Sequence, residues 1–229
     1  MTHATVLAPA PTARQTPGEW LLVCGVVAPL VYVVADVLAA SRWAGYRYAD
    51  QAVSELMAIG SPVRAVVVPL FLLFDALVLA FGAGVLVTAA GRPLRRVLGV
   101  GLIAYGAVSA AGPFAPIHLR GATRTATDTA HIVVTVALVV LALAIIAVGS
   151  AVDGQAFSIY SIATIAALLA GGALTFALAP HLAAGAPTPG LGALERLNIY
   201  ATMAWLLVLA VALLRAERRP AGTTAGRKP

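Results

Sequence analysis

Charge and cysteine are both scarce in this sequence. Of its 229 residues, 10% are charged and 61% apolar, with a mean hydropathy of +0.94. Soluble domains carry about a quarter charged residues, and one of this size could not hide so much apolar surface. A water-soluble globule is therefore excluded, and a bilayer takes over as solvent. The lone Cys24 rules out an intrachain disulfide, and the absence of a Cys-x-x-Cys pair removes a thiolate zinc site. There is no Gly-x-Ser-x-Gly elbow, no P-loop, no His-Glu-x-x-His and no Asp-rich diphosphate motif. No two of His118, His131 and His181 sit at mid-membrane on separate helices, so haem is not expected. Neither a metal nor another cofactor is indicated, and no internal repeat stands out.

Where charge is present, its placement is informative. The formal net charge is +6, but the positive residues stand just beyond apolar runs. Arg92, Arg95 and Arg96 form one cluster; Arg215, Arg218, Arg219, Arg227 and Lys228 form another. Juxtamembrane basic residues of this kind fix orientation and meet anionic lipid head groups. A nucleic-acid partner needs a basic soluble face with stacking aromatics, and no segment offers one.

Apolar runs predict spans over 20–40, 65–90, 97–114, 129–149, 157–179 and 197–215. Each is near the ~20 residues that cross ~30 Å of hydrocarbon. The expected fold is an all-α, polytopic transmembrane six-helix bundle over 20–215, monomeric, between a disordered tail (1–19) and a basic tail (216–229). Positive charge is denser beside Arg92–Arg96 and in the C-terminal tail than in the other connections. That places both termini in the cytoplasm and the protein in the plasma (inner) membrane. The odd-numbered connections then share the outer face. The first, Ser41 to Pro62, is too long for a simple turn. Its Ala52, Val53, Leu56 and Ile59 spacing predicts a short helix on or dipping into the outer leaflet. Glycines in the third span, at 99, 101, 106 and 112, lower helix propensity but allow close helix packing.

The residues suited to chemistry follow from these placements. Asp36 and Asp75 lie within spans, where a carboxylate is costly unless protonated, paired or wetted. Tyr32, one turn before Asp36, is a hydrogen-bond candidate for it, and Pro69 frees the Ala65 carbonyl below Asp75. Asp128 and His131 are spaced i, i+3 at the start of the fourth span. They read as a carboxylate-oriented imidazole base, as metal ligands, or as a helix-terminal acid beside a polar neighbour. His118, Arg120 and Arg124 follow the break Pro113-Phe-Ala-Pro116 and suit an anionic head group, or else a loop of snorkelling arginines. Glu195, Asn198, Thr202 and Trp205 form one stripe of the sixth span, natural on a cavity wall, and Glu195-Arg196 also reads as a solvated interfacial pair. Glu55 is positioned to pair with Arg64, Arg120 or Arg124.

Ala52-Val53-Ser54-Glu55-Leu56 with Gly60-Ser61-Pro62, Phe114-x-Pro116-x-His118, Asp128-x-x-His131 and Leu194-Glu195-Arg196 occur in a distinctive order. In that order they resemble a prokaryotic family of six-span integral membrane proteins of unknown function, the DUF998 type, from about Trp20 to Arg215. More loosely, the order is similar to that of eukaryotic membrane proteins of lipid-anchor remodelling and autophagy modulation, and this implies lipid-related work. Three functions stay open. In the first, an outward-facing polar cavity binds and processes a lipid or isoprenoid-like amphiphile. Asp128 and His131 are its acid/base pair, Glu55 and Glu195 further carboxylates, and Asp75 in its neutral form a general acid. His118, Arg120, Arg124, Asn198, Trp205 and Asp36 then line the ligand. The second is a small proton-coupled transporter using Asp36 and Asp75. The third is a non-enzymatic membrane assembly partner whose interface is the glycine-rich third span.

Overall fold

The computed structural model describes residues 16–183 and 186–218. In chain order the helices are α1 (Pro17–Arg42), α2 (Val53–Leu56), α3 (Arg64–Val87), α4 (Pro93–Ala110), α5 (Ala126–Gly149), α6 (Gln155–Ala183) and α7 (Leu191–Glu217). A 3-10 turn at Gly112–Phe114 follows α4. All except the four-residue α2 are long and apolar enough to cross a bilayer, with best-window hydropathies from 1.6 to 3.1. The chain is an all-α, polytopic six-helix bundle. Of the expected tails, only 16–19 and 216–218 fall among the described residues.

Local chemistry explains where the helices begin. Thr16 accepts the Glu19 N–H while Glu19 accepts the Thr16 N–H (3.1 Å), so α1 opens with a capping box and Pro17 in its first turn. The third span starts at Pro93, four residues earlier than hydropathy suggests, because proline suits a first turn whose N–H groups lack partners anyway. Gly190, at φ +81°, turns the chain into α7.

The six long helices close into a ring in the order α1, α3, α4, α5, α6, α7 and back to α1, with α1 against α3 the most extensive seam and α5 against α6 the least. The glycines of α4 serve this packing. A Cβ on Gly99 would lie 3.0 Å from the Gly82 carbonyl oxygen of α3, so the two backbones touch there. Lower in the bundle Trp205 is fully buried, stacked on Phe157 at 5.9 Å, with its indole N–H donating to Ser161 Oγ at 2.9 Å.

One expectation about the first connection is corrected. Its helix is only the four-residue α2, and its apolar residues face inward rather than outward. Ala52, Val53 and Leu56 are buried, the last two against Ala35 and Ala39 of α1, Val67 and Phe71 of α3 and Val63 just before α3, while Ile59 is exposed. The apolar face that looked membrane-seeking instead lids a second, smaller core.

Candidate functional site

The connections 43–63 and 111–125 and the stretch before α7 meet at one end of the ring, here the polar end. Two carboxylate–arginine pairs hold them together. Asp36, fully buried in α1, takes two parallel hydrogen bonds from Arg196 of α7, Nε to Oδ2 and Nη2 to Oδ1, both 2.9 Å. Tyr200 donates to Asp36 Oδ2 at 2.5 Å, and Tyr48, 2.9 Å from the same oxygen, is 2.6 Å from the Tyr200 hydroxyl. Arg196 also donates to the carbonyls of Tyr48 (2.6 Å) and Gln51 (3.0 Å) and to Tyr46 Oη (2.8 Å), and lies 3.6 Å above the Tyr48 ring. Burial pushes the Tyr46 and Tyr48 phenols up, which keeps them protonated donors. Two expectations are corrected here. Arg196 is 3% exposed rather than solvated, and Tyr32 stacks on Phe71 instead of bonding Asp36. A guanidinium inside a span must find a carboxylate, and Asp36 is the one at its depth.

The second pair is Glu55 with Arg120. Arg120 Nε lies 3.1 Å from both Glu55 oxygens and Nη2 lies 2.7 Å from Oε1, while Gln51 Nε2 and the Ala52 N–H add bonds of 3.0 Å each. Arg120 also donates to Thr188 Oγ1 (2.7 Å) and the Asp50 carbonyl (2.9 Å), joining all three connections. Glu195 accepts the Val53 N–H at 2.6 Å, satisfying a free donor at the start of α2.

Above this platform lies a cavity of about 370 Å³ lined by Ser54, Glu55, His118, Arg120, Arg124, Asp128, His131 and Ile132, among others. Asp128 reaches back from the first turn of α5 to the Thr125 N–H (2.8 Å), the usual direction for an acid near a helix start. Turned that way, it meets His118 rather than His131. It accepts the His118 N–H and faces His118 Nδ1, each at 2.8 Å. The expected Asp128–His131 pair is thereby corrected: His131 Nδ1 lies 2.9 Å from the Ala115 carbonyl. Because both partners are acceptors, Nδ1 carries the proton on both rings. Each imidazole keeps Nε2 for another partner. Arg124 is exposed and has no ion pair among the described residues. No group of three or more His, Cys, Asp or Glu suited to a metal occurs among them either. A larger groove of about 460 Å³ runs along Ser61–Pro69, but its Arg64 already donates to the Met57 and Pro113 carbonyls.

A family profile described as "Protein of unknown function (DUF998)" matches residues 26–212. The chain belongs to this family. No curated protein and no solved structure matches it.

Within this DUF998 chain, Glu55, His118, Arg120, Arg124, Asp128 and His131 share one cavity. The structure does not bring the other candidates to it. Asp36 is enclosed by Arg196, and Glu195 is tied beneath α2. Trp205 belongs to the α6–α7 packing, since its ring needs the room left by Gly149 and its N–H needs Ser161. Asn198 faces Gly171 of α6, and its buried Oδ1 has no hydrogen-bond partner among the described residues. Asp75 is 2% exposed on α3, and its Oδ1 likewise has none. Sequence reasoning missed Tyr46, Tyr48, Tyr200 and Thr188. The tyrosine-rich stretch Tyr46-Arg47-Tyr48, next to a span that carries Asp36, was the available signal.

Proposed function

We propose that this protein holds the polar head of a membrane amphiphile in the His118/His131 cavity and acts on it by acid/base chemistry. One observation carries the reading: an imidazole oriented by a carboxylate, His118 Nδ1 to Asp128 Oδ2 at 2.8 Å, in a cavity that also holds an arginine, Arg124, with no ion pair among the described residues. Asp128 fixes the tautomer and supports positive charge on the ring, while His118 Nε2 takes a proton from a hydroxyl or water of the bound head and returns it. Arg124, with Arg120 beside it, supplies positive charge for an anionic group on that head. His131 Nε2 is the second proton-handling atom. A volume of about 370 Å³ suits a head group. We assign the protein to the plasma membrane with both termini cytoplasmic, from its basic clusters.

Other functions fit the geometry less well. Asp36 is engaged by Arg196, so it is poorly placed to exchange protons with Asp75 in a transporter relay. The glycines of α4 are occupied within the chain by α3 and α5, which leaves an assembly interface little to use.

The test is mass spectrometry of amphiphiles retained by the protein purified in nanodiscs. Wild type should retain one species, Arg124→Gln should lose it, and His118→Gln should keep it in unprocessed form. Equal retention by wild type and Arg124→Gln would remove the assignment.

A further inference from the structure

Burial along α5 is uneven in a way that points beyond the head-group cavity. Asp128, His131, Thr135, Leu138, Ala142, Ile145 and Gly149 follow each other in steps of three and four, forming one stripe that faces the bundle. Both ends of that stripe are buried: Asp128 at 8% exposure, then Ala142 at 6% and Ile145 at 2%. Its middle is not, for His131 and Leu138 are half-buried and Thr135 is exposed.

Inward burial also falls off toward the polar end of the facing helices. On α6 the inward stripe Phe157, Ser161, Thr164, Leu168 and Gly171 is buried, but its continuation, Thr175 and Leu178, is only half-buried. On α7, Leu191 and Thr202 are buried, yet Glu195, Asn198 and Ile199 between them are half-buried although they lie on the inward arc. Three helices lose inward burial toward the polar end of the ring, beside its least extensive seam, α5 against α6. Closely packed helices do not do this; helices bordering a cleft do.

We infer that the hydrocarbon chain of a membrane lipid lies in this cleft, admitted sideways between α5 and α6, with its head in the cavity above. The inference rests on the head-group reading and adds the ligand's class and its route. Continuity supports it, since His131 belongs to both the cavity and the stripe, and Ile132 carries the cavity lining to the exposed face of α5. Depth supports it too. From His131 to Ala142 the helix rises about 16 Å at ~1.5 Å per residue, about half of the ~30 Å hydrocarbon layer and hence one leaflet. Below that, Trp205, Ser161, Phe157 and Ile145 close the floor. The walls are mostly apolar or hydroxyl-bearing, and the Thr175 hydroxyl is bonded to the Gly171 carbonyl of its own helix (2.9 Å), so it asks little of a ligand.

The full-length protein in nanodiscs containing phosphatidylglycerol with a diazirine midway along one acyl chain provides the test. After irradiation, adducts should map to Leu138, Asn198 and Ile199 as well as to the outward-facing Val133 and Val140. Thr135→Trp fills the cleft and should lose the Asn198 and Ile199 adducts, whereas Val133→Trp on the outer face should keep them. Adducts confined to outward residues in the wild type would overturn the inference, whether or not Thr135→Trp folds. The two readings separate cleanly. Inward adducts with no dependence of retention on Arg124 leave the cleft and remove the head-group site; retention through Arg124 without inward adducts removes the cleft alone.

Discussion

Breaking the Asp36–Arg196 pair should be the most damaging polar change in the protein. Arg196→Met leaves a fully buried carboxylate facing two tyrosine hydroxyls with no cation, and removing one partner of a buried pair costs about 3–5 kcal/mol. Asp36→Leu strands the guanidinium instead and should cost about as much. In the double variant the apolar side chains replace the charges, and the pair itself becomes close to neutral. What then remains is the loss of donors to the Tyr48 and Gln51 carbonyls and of the Asp36 acceptor for one of the two tyrosine hydroxyls, the other still bonding its neighbour, about 1 kcal/mol each. The double variant should therefore lie about 3 kcal/mol below wild type, no less stable than either single and far above the sum of the two. Equilibrium unfolding in mixed micelles of mild detergent and dodecyl sulfate, followed by far-ultraviolet circular dichroism, measures all four corners of the cycle. Additive losses, or an Arg196→Met variant within about 1 kcal/mol of wild type, would refute a tightly coupled pair.

Other consequences are simpler to test. Ser161→Ala leaves the buried Trp205 N–H without its acceptor and should lower stability by about 1–3 kcal/mol; an unchanged melting temperature would show that the indole finds another partner. Asp75→Leu removes a carboxyl whose Oδ1 is unpartnered among the described residues and whose one side-chain contact is Ser109, so it should cost no more than about 1 kcal/mol, and a loss above about 2 kcal/mol would reveal a partner for Oδ1. The Gly190 N–H, then Arg47, holds the Asp50 carboxyl below its usual range. Its contribution is therefore present above the unfolded-state value and lost as pH falls through the folded one, so Asp50→Asn should melt slightly below wild type at pH 7 and converge on it as pH falls below about 4, which flattens the acid limb of the melting curve. In a Cys24→Ala background, cysteines at Ala44 and Ala122 should react with an impermeant maleimide in intact cells, whereas those at Arg92 and Asp153 should not; the opposite pattern inverts the orientation.

The sequence by itself determined the number of spans and their approximate bounds, because the bilayer's demand for about twenty apolar residues acts on each segment separately. It also determined that Asp36 and Asp75 needed explanation, since an ionisable residue in a span is costly wherever its partner lies. The partner was another matter. Asp36 and Arg196 are 160 residues apart, and Glu55 and Arg120 are 65 apart, so only closure of the ring could pair them. Even the short-range prediction at Asp128 depended on tertiary structure. Spacing on an ideal helix favoured His131, but a helix-start carboxylate turns back toward the free N–H groups, and the 111–125 connection brings His118 there. Burial was the least legible property of all. Leu138 and Ala142 occupy the same stripe of α5, and only the packing of α6 and α7 against it decided that one borders a cleft while the other is sealed in the core.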